Sequence, residues 1–155
     1  WQVLRALVEK SVMIKNEFAG ADPTEKGVRK MLNLGHTIGH AIESYSFTTG
    51  NEPLLQGEAV AVGLVCEIFL SNKLLKFPIQ KMMNIVHYLS EMFTPYKFGY
   101  DQYDALIALI NHDKKNSGGE ISFSLMSDFG QYHYDQHCTT DDIYQALSFY
   151  QQMNL

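Results

Sequence analysis

Two histidines and two glycines, interleaved at four-residue spacing, constrain this chain more than any other feature. They lie within residues 32–43, LNLGHTIGHAIE, whose apolar spacing predicts a helix. Residues i and i+4 share a helix face, so His36 and His40 face one small volume beside a bare strip made by Gly35 and Gly39. Each helical glycine costs about 1 kcal/mol relative to alanine, which indicates that something approaches the backbone closely. A metal ion, a charged substrate or a tightly packed second helix would meet this requirement.

Composition excludes several classes of protein. The 155 residues suit one domain, and 46% hydrophobic with 19% charged residues is typical of a globular chain. The net charge of −5 offers no basic surface for nucleic acid. No apolar run reaches the roughly 18 residues that a membrane span needs. Cys66 and Cys138 make no disulfide framework, so we expect a cytoplasmic protein with Cys66 reduced in the core. The start at Trp1, without a Met, suggests a segment of a longer chain.

Hydrophobic periodicity predicts a mainly α, multi-helix domain that occupies all of residues 1–155 and contains at most one small β-hairpin near residues 120–135. A loop is expected over residues 44–57 and a turn over residues 117–119. Residues 120–125 alternate in polarity and predict a strand, with residues 131–134 as its partner. The helices are expected over residues 2–19, from about residue 23 through the two-histidine stretch, and over residues 58–75, 78–92, 103–112 and 140–153.

The residues alone leave the chemistry of this region open. His36 and His40 could bind a metal, because neutral imidazoles four residues apart can reach one ion, or they could make ordinary hydrogen bonds. Glu58 begins the long apolar helix, where an acidic residue is stabilised by the helix dipole, or it could orient a group of the same site.

Four cations are candidates for holding an anionic substrate: Lys15, Arg29, Lys114 and Lys115. Arginine grips a carboxylate or phosphate through two hydrogen bonds, and lysine acts as a point charge. Each could equally be a solvated surface residue. The two adjacent lysines come immediately before a glycine-rich turn, where a loop could close over a ligand, and His112 lies beside them.

Two strings, considered together, are specific enough to indicate a family. The first is Asn-x-Gly-His-Thr-x-Gly-His-Ala-x-Glu over residues 33–43, and the second is Gly-Glu-Ala-Val-Ala-x-Gly over residues 57–63. Residues 27–29 precede them, and Asp-Lys-Lys-Asn follows at residues 113–116. In this order the chain resembles the C-terminal domain of the 3-dehydroquinate synthases along essentially its whole length.

The resemblance implies a two-domain lyase of the shikimate pathway, which leads to chorismate and the aromatic amino acids. An absent N-terminal domain would bind NAD, and this domain would carry much of the metal and substrate site. The substrate would be 3-deoxy-arabino-heptulosonate 7-phosphate, and the products 3-dehydroquinate and phosphate. The family's steps are alcohol oxidation by NAD, elimination of phosphate, reduction, ring opening and aldol closure. A zinc or cobalt ion and a homodimer are also implied.

The resemblance also implies a role for individual residues. His36 corresponds to a metal ligand and His40 to a residue that transfers protons and contacts substrate. Lys15, Arg29 and Asn33 correspond to contacts with the anionic substrate. The lysine near the end of the site corresponds to Lys114, with Lys115 as the alternative register. Glu43 would contact the metal ligands rather than the metal itself. No residue of this domain would bind NAD.

Two departures from the family pattern bear on metal binding. The family has a histidine ligand where this chain has Gln56, whose carbonyl oxygen is a poorer zinc ligand than imidazole. A glutamate ligand comes from a segment absent here. We therefore predict that this chain alone binds zinc weakly or not at all, and that it shows no synthase turnover alone.

Two alternatives stay open from the sequence. One is a related sugar-phosphate cyclase that acts on a different substrate. The other is a noncatalytic paralogue, or an interaction module, that has lost its metal, with Gln56 as the trace of that loss.

Overall fold

The computed structural model describes residues 1–49, 52–116 and 121–153. Within these ranges the chain forms six α-helices, two 3₁₀-helices and one two-stranded hairpin, which confirms the predicted fold class. The α-helices are α1 (Gln2–Ala21), α2 (His36–Ser46), α3 (Gln56–Leu75), α4 (Ile79–Met92), α5 (Tyr103–Asn116) and α6 (Thr140–Gln152). The 3₁₀-helices are Val28–Asn33 and Tyr100–Gln102, and the strands are β1 (Phe123–Asp128) and β2 (Gln131–Gln136).

Helix α3 is the centre of the core. It is apolar around most of its circumference, as expected for a helix surrounded by protein, and Val65, Cys66 and Leu70 are fully buried. Helices α2, α4 and α6 and strand β1 pack around it. The core that these elements share includes the buried side chains of Ile38, Ile42, Phe77, Leu106, Phe123, Leu125, Ile143 and Leu147. Cys66 is a free, buried thiol, as predicted.

The predicted second helix is wrong over its first half. Residues 23–35 contain turns and the 3₁₀-helix Val28–Asn33, and α2 begins only at His36. Gly35, which was expected inside the helix, precedes it with a φ of +84°. A left-handed residue cannot continue a right-handed α-helix, so the two glycines do not form a single helical strip. The predicted loop also begins later, because α2 continues to Ser46.

The hairpin lies where the alternating pattern predicted it, displaced by a few residues. β1 and β2 are antiparallel, with Leu125 opposite His133 and Met126 opposite Tyr132, and Phe129 and Gly130 make the turn. The first expected strand residue, Glu120, and the expected turn at 117–119 lie outside the described residues.

Helix α1 differs from the other α-helices because none of its residues is buried. Val3, Leu4, Leu7 and Ile14 are between 44% and 75% exposed although their spacing is that of a helix face that packs against protein. Among the described residues, no helix is long and apolar enough to cross a membrane.

Candidate active site

Glycines at the start of α2 and in α3 allow the two helices to pack closely. A Cβ added to Gly63 of α3 would lie 1.9 Å from the carbonyl oxygen of Gly35 and 2.7 Å from the nitrogen of Gly39. A Cβ on Gly39 would lie 3.1 Å from the Cα of Val60. Of the three explanations that the sequence left open for the glycines, the tightly packed second helix is therefore the one that the structure shows.

The two histidines lie side by side at the start of α2. His36 is the first residue of the helix, and the ring centroids of His36 and His40 are 5.4 Å apart with the planes at 87°. Nδ1 of His36 lies 3.3 Å from the carbonyl oxygen of Leu34. A proton on Nδ1 would be donated to that carbonyl, which leaves the Nε2 lone pair of His36 free to accept a proton or bind a ligand.

Arg29 and Asn33 converge on one carboxylate, that of Glu25. The side-chain amide of Asn33 donates to Oε1 of Glu25 at 2.7 Å, and Nε of Arg29 lies 3.5 Å from Oε2. Arg29 also donates to the carbonyl of Pro23. The two residues expected to contact an anion thus already share one, which demonstrates that their side chains can bind a carboxylate together. Sequence analysis overlooked Glu25, although a glutamate four residues before an arginine is a recognisable ion-pair signal.

Asp22 fixes the loop that carries these residues. Its carboxylate accepts hydrogen bonds from the backbone N–H groups of Lys26, Gly27 and Arg29, at 3.1, 2.7 and 3.2 Å. The N–H of Gly27 contributes most to a lowered pKa of Asp22, as expected when the charged form accepts several hydrogen bonds. The Asp22 carboxylate therefore stays ionised at neutral pH and holds the backbone of Arg29 in place.

The hairpin supports the 3₁₀-helix from the other side. The Ser124 hydroxyl donates to the carbonyl of Lys30 at 2.6 Å, and the Lys30 ammonium contacts Asp135 at 2.6 Å. The Thr37 hydroxyl donates to the carbonyl of Ser122 at 3.2 Å. Both segments that carry candidate site residues are thus attached to the β-hairpin.

A small cavity opens beside His40. It has a volume of about 130 Å³ and is lined by Thr37, His40, Ala41, Ser44, Leu109, Ile110 and His112. Pockets that enclose a whole small molecule usually measure about 300–1,000 Å³, so this cavity would accommodate only part of a substrate. His112 contributes to the same cavity as His40, which gives the helix α5 a place in the site.

The start of α2 is held by a buried glutamate of α3. Glu67 is fully buried, and its two carboxyl oxygens accept hydrogen bonds from the backbone N–H groups of Gly35 (2.6 Å) and Ile38 (3.0 Å). Burial raises the pKa of Glu67 to about 8, although the N–H groups of Ile38, Gly35 and Thr37 act in the opposite direction. No sequence pattern pointed to this residue, because its partners lie about 30 positions away.

Other candidates of the sequence analysis occupy α1, α2 and α3. Lys15 is exposed on α1, and Gln56 is the exposed first residue of α3. Glu58 accepts a hydrogen bond from the N–H of Leu55 at 2.9 Å, which confirms the helix-start interpretation for that residue. Glu43 is half-buried on α2.

Lys114 and Lys115 lie in the last turn of α5, and their side chains fall outside the described residues.

The donor set does not amount to a complete metal site. No group of three or more His, Cys, Asp or Glu side chains comes together among the described residues in a way that could hold a metal ion. A catalytic zinc takes three protein ligands, mostly from these residue types. The described part of this chain therefore offers the imidazoles of His36 and His40 but lacks the rest of a ligand set.

Comparison with known proteins shows a family that matches this chain. The model of the family described as 3-dehydroquinate synthase C-terminal matches residues 1–116 of the 155. The chain belongs to the 3-dehydroquinate synthase family. The matched residues extend from α1 to the end of α5 and so include each site candidate named above, while the hairpin and α6 lie beyond them.

Individual 3-dehydroquinate synthases match almost the whole chain. The enzyme of Parabacteroides distasonis is 43% identical over 152 residues, which cover 98% of this chain and 43% of that protein. That of Methylacidiphilum infernorum is 40% identical over 139 residues, or 88% of this chain and 38% of the relative. That of Bordetella pertussis is 37% identical over 133 residues, or 84% and 36%. This chain spans about two fifths of the length of these relatives.

Proposed function

We propose that this chain forms the C-terminal, substrate-binding domain of a 3-dehydroquinate synthase that converts 3-deoxy-arabino-heptulosonate 7-phosphate to 3-dehydroquinate and phosphate in the shikimate pathway. The observation that carries the proposal is the order of two side-chain pairs along the part of the chain that matches the family: Arg29 and Asn33 share one carboxylate just before α2, and His36 and His40 lie side by side at its start. These side chains have the chemistry that an anionic, hydroxylated substrate requires.

Substrate binding is assigned to Arg29, to the lysines and to the side-chain amide of Asn33. Arg29 and Asn33 bind the substrate carboxylate or phosphate in the way that they bind Glu25, and Glu25 moves aside or bonds to a substrate hydroxyl instead. Lys15 and Lys114, or Lys115 in the alternative register, supply further positive charge. A substrate with two anionic groups needs cations on more than one side, and these residues lie on three different elements.

Proton transfer is assigned to His40. Its imidazole is exposed and lines the cavity next to His36, so it can reach a bound hydroxyl group. Histidine exchanges a proton close to neutral pH, which suits an acid–base role. The contact of His36 Nδ1 with Leu34 holds the neighbouring ring in one orientation.

A second domain completes the enzyme in this proposal. The relatives are more than twice as long as this chain, and the family model describes a C-terminal part. An N-terminal domain that precedes α1 would bind NAD, and two copies of the complete chain would form a homodimer. We call this protein the complete synthase. The complete synthase would act in the cytoplasm. The isolated 155 residues would not convert substrate.

A zinc or cobalt ion would have His36 as a ligand in the complete synthase. The described residues do not fit a full metal site. Gln56 occupies the position at which the family resemblance implies a histidine ligand.

The test of the proposal compares the complete synthase with its Gln56→His variant. We expect the wild type, supplied with NAD and zinc, to release phosphate from 3-deoxy-arabino-heptulosonate 7-phosphate. If only the Gln56→His variant releases phosphate, the chain is a noncatalytic paralogue. If the wild type processes a different phosphorylated sugar acid instead, the chain belongs to a related cyclase.

A further inference from the structure

The first turn of α2 depends on a carboxyl group from another helix. We propose that Glu67 of α3 is the positioning residue of the active site, which holds His36 and His40 in their working orientation. The inference extends the proposed function, because it takes His36 and His40 to be site residues.

A helix begins with backbone N–H groups that have no partner inside the helix. A serine, threonine or aspartate before the first turn usually accepts one of these hydrogen bonds. Helix α6 begins in this way, with the Thr139 hydroxyl accepting from the N–H of Asp142 at 3.1 Å. Helix α2 cannot, because the residue before it is Gly35.

No side chain can replace the missing cap at position 35. Gly35 has a φ of +84°, which side chains of L residues rarely adopt. A Cβ there would also lie 2.7 Å from Cγ of Leu64. The close contact with α3 therefore excludes a local cap, and an acceptor must come from elsewhere in the fold.

Glu67 supplies that acceptor twice. Its Oε2 accepts from the N–H of Gly35 and its Oε1 from the N–H of Ile38, at 2.6 and 3.0 Å. The two N–H groups lie on either side of His36 in the sequence. One rigid carboxyl group thus fixes the backbone before and after this residue, and with it the direction in which the imidazoles of His36 and His40 leave the helix.

This arrangement also sets the position of α2 along α3. A local cap would stabilise α2 wherever the helix lay, whereas Glu67 ties its first turn to a point on α3 that is four residues after Gly63, the site of the closest backbone approach. A buried polar group without a partner is costly, so any sliding of α2 that broke these bonds would be disfavoured. The histidines therefore keep a fixed relation to α3.

The test uses the Glu67→Gln variant of this chain, with Asp142→Asn as the matched control. Asp142 is also a buried carboxylate at a helix start, and it is paired with Lys73 at 2.7 Å, remote in sequence from α2. Both carboxyl oxygens of Glu67 keep a lone pair that can accept an N–H whether or not the group is protonated, whereas a glutamine amide accepts only through its oxygen and opposes the second N–H with its own N–H₂ group. Glu67→Gln therefore loses one of the two bonds.

For Glu67→Gln we expect hydrogen exchange at the amide of Gly35 or Ile38 to rise about tenfold or more. We also expect the imidazole NMR signals of His36 and His40 to move, while those of His87, exposed on α4, stay in place. Asp142→Asn should lower the stability of the chain and leave all three histidine signals unchanged. Unmoved His36 and His40 signals in folded Glu67→Gln would overturn the proposal, as would an equal movement in Asp142→Asn.

A Glu67→Leu variant extends the series, because it removes both acceptors. We expect larger shifts than in Glu67→Gln; if Glu67→Leu does not fold, Glu67→Gln alone decides. In the complete synthase, Glu67→Gln should lower kcat by about tenfold with little change in KM, since the substrate-binding Arg29 lies on another segment. Failure of the proposed function would appear separately, as a wild-type synthase without turnover whose histidine signals still respond to Glu67→Gln.

Discussion

At the scale of single residues, the side chains expected to bind the anionic substrate already bind a carboxylate of the same chain. Glu25 lies between Arg29 and Asn33, and its backbone has a φ of +54°, an uncommon conformation for a residue other than glycine. The Asp22 carboxylate organises the same loop through three N–H groups. An anionic substrate would exchange one carboxylate partner for another, so little reorganisation of Arg29 is needed.

Arg29→Lys should lower kcat/KM of the complete synthase by about tenfold to a hundredfold. Lysine keeps the charge but loses the planar pair of donors, and one hydrogen bond to a charged group is worth about 1.5–3 kcal/mol. Steady-state phosphate release measures the effect. Arg5→Lys is the matched control, because Arg5 is exposed on α1 and pairs with Glu9. Equal effects of the two substitutions would argue against a role of Arg29 in binding.

The raised pKa of Glu67 predicts a pH dependence of stability. A carboxyl group with a pKa of about 8 in the folded state and 4.5 otherwise binds its proton more tightly when folded. Its stabilising effect is complete below the ordinary pKa and is lost as the pH rises through about 8. Urea unfolding should show that wild type loses stability relative to Glu67→Gln between about pH 5 and about pH 9. A difference that stays constant or grows in favour of wild type over this range would contradict the shift.

Sequence patterns located some of these residues and missed others for a physical reason. His36 and His40 are four positions apart and so share a helix face wherever the helix starts. Glu67 acts through partners on another helix, and no local spacing reveals such a contact. Glu25 and Arg29 are four positions apart, a spacing typical of ion pairs on helices, but this spacing alone does not indicate a binding site.

At the scale of elements, the site depends on the contact between α2 and α3. The two helices approach so closely at Gly35, Gly39 and Gly63 that backbone meets backbone. The sequence predicted a close approach and left its partner open. The start of α2 was misplaced because apolar spacing continues through the 3₁₀-helix, whereas the extended backbone of Leu34 and the left-handed conformation of Gly35 separate the two segments.

Gly63→Ala tests this contact. Its methyl group would overlap the carbonyl of Gly35, so α2 would have to move away from α3, at a cost of about 1–3 kcal/mol or more. Gly57→Ala in the same helix has no atom within 4 Å of the added Cβ and should be neutral or stabilising by up to about 1 kcal/mol. Urea denaturation of both variants gives the comparison. A Gly63→Ala variant as stable as Gly57→Ala would show that α2 adjusts freely.

At the scale of the whole molecule, the chain combines a well-packed core with one helix that contributes nothing to it. Helix α3 and its neighbours bury large apolar side chains, whereas most of the apolar side chains of α1 are exposed. Length and composition suggested a single domain and could not reveal this asymmetry, since α1 has the same apolar spacing as a packed helix.

Hydrogen exchange should show the asymmetry in this chain. An isolated helix of about 20 residues is marginal in water without tertiary packing, so the α1 amides should exchange much faster than those of α3, which open only with the core. Mass spectrometry of exchanged peptides from residues 2–21 and 56–75 measures the difference. Equal protection of the two helices would mean that α1 is stabilised by contacts that the described fold does not contain.

The most direct test of the central claim is phosphate release by the complete synthase, measured for wild type, His40→Ala and His87→Ala with NAD and zinc present. His87 is an exposed histidine on α4 and serves as the control. A general acid–base residue contributes about 10²–10⁴-fold to the rate, so His40→Ala should fall by that factor while His87→Ala keeps the wild-type rate. A His40→Ala enzyme as fast as wild type, or a wild type that releases no phosphate, would contradict the account.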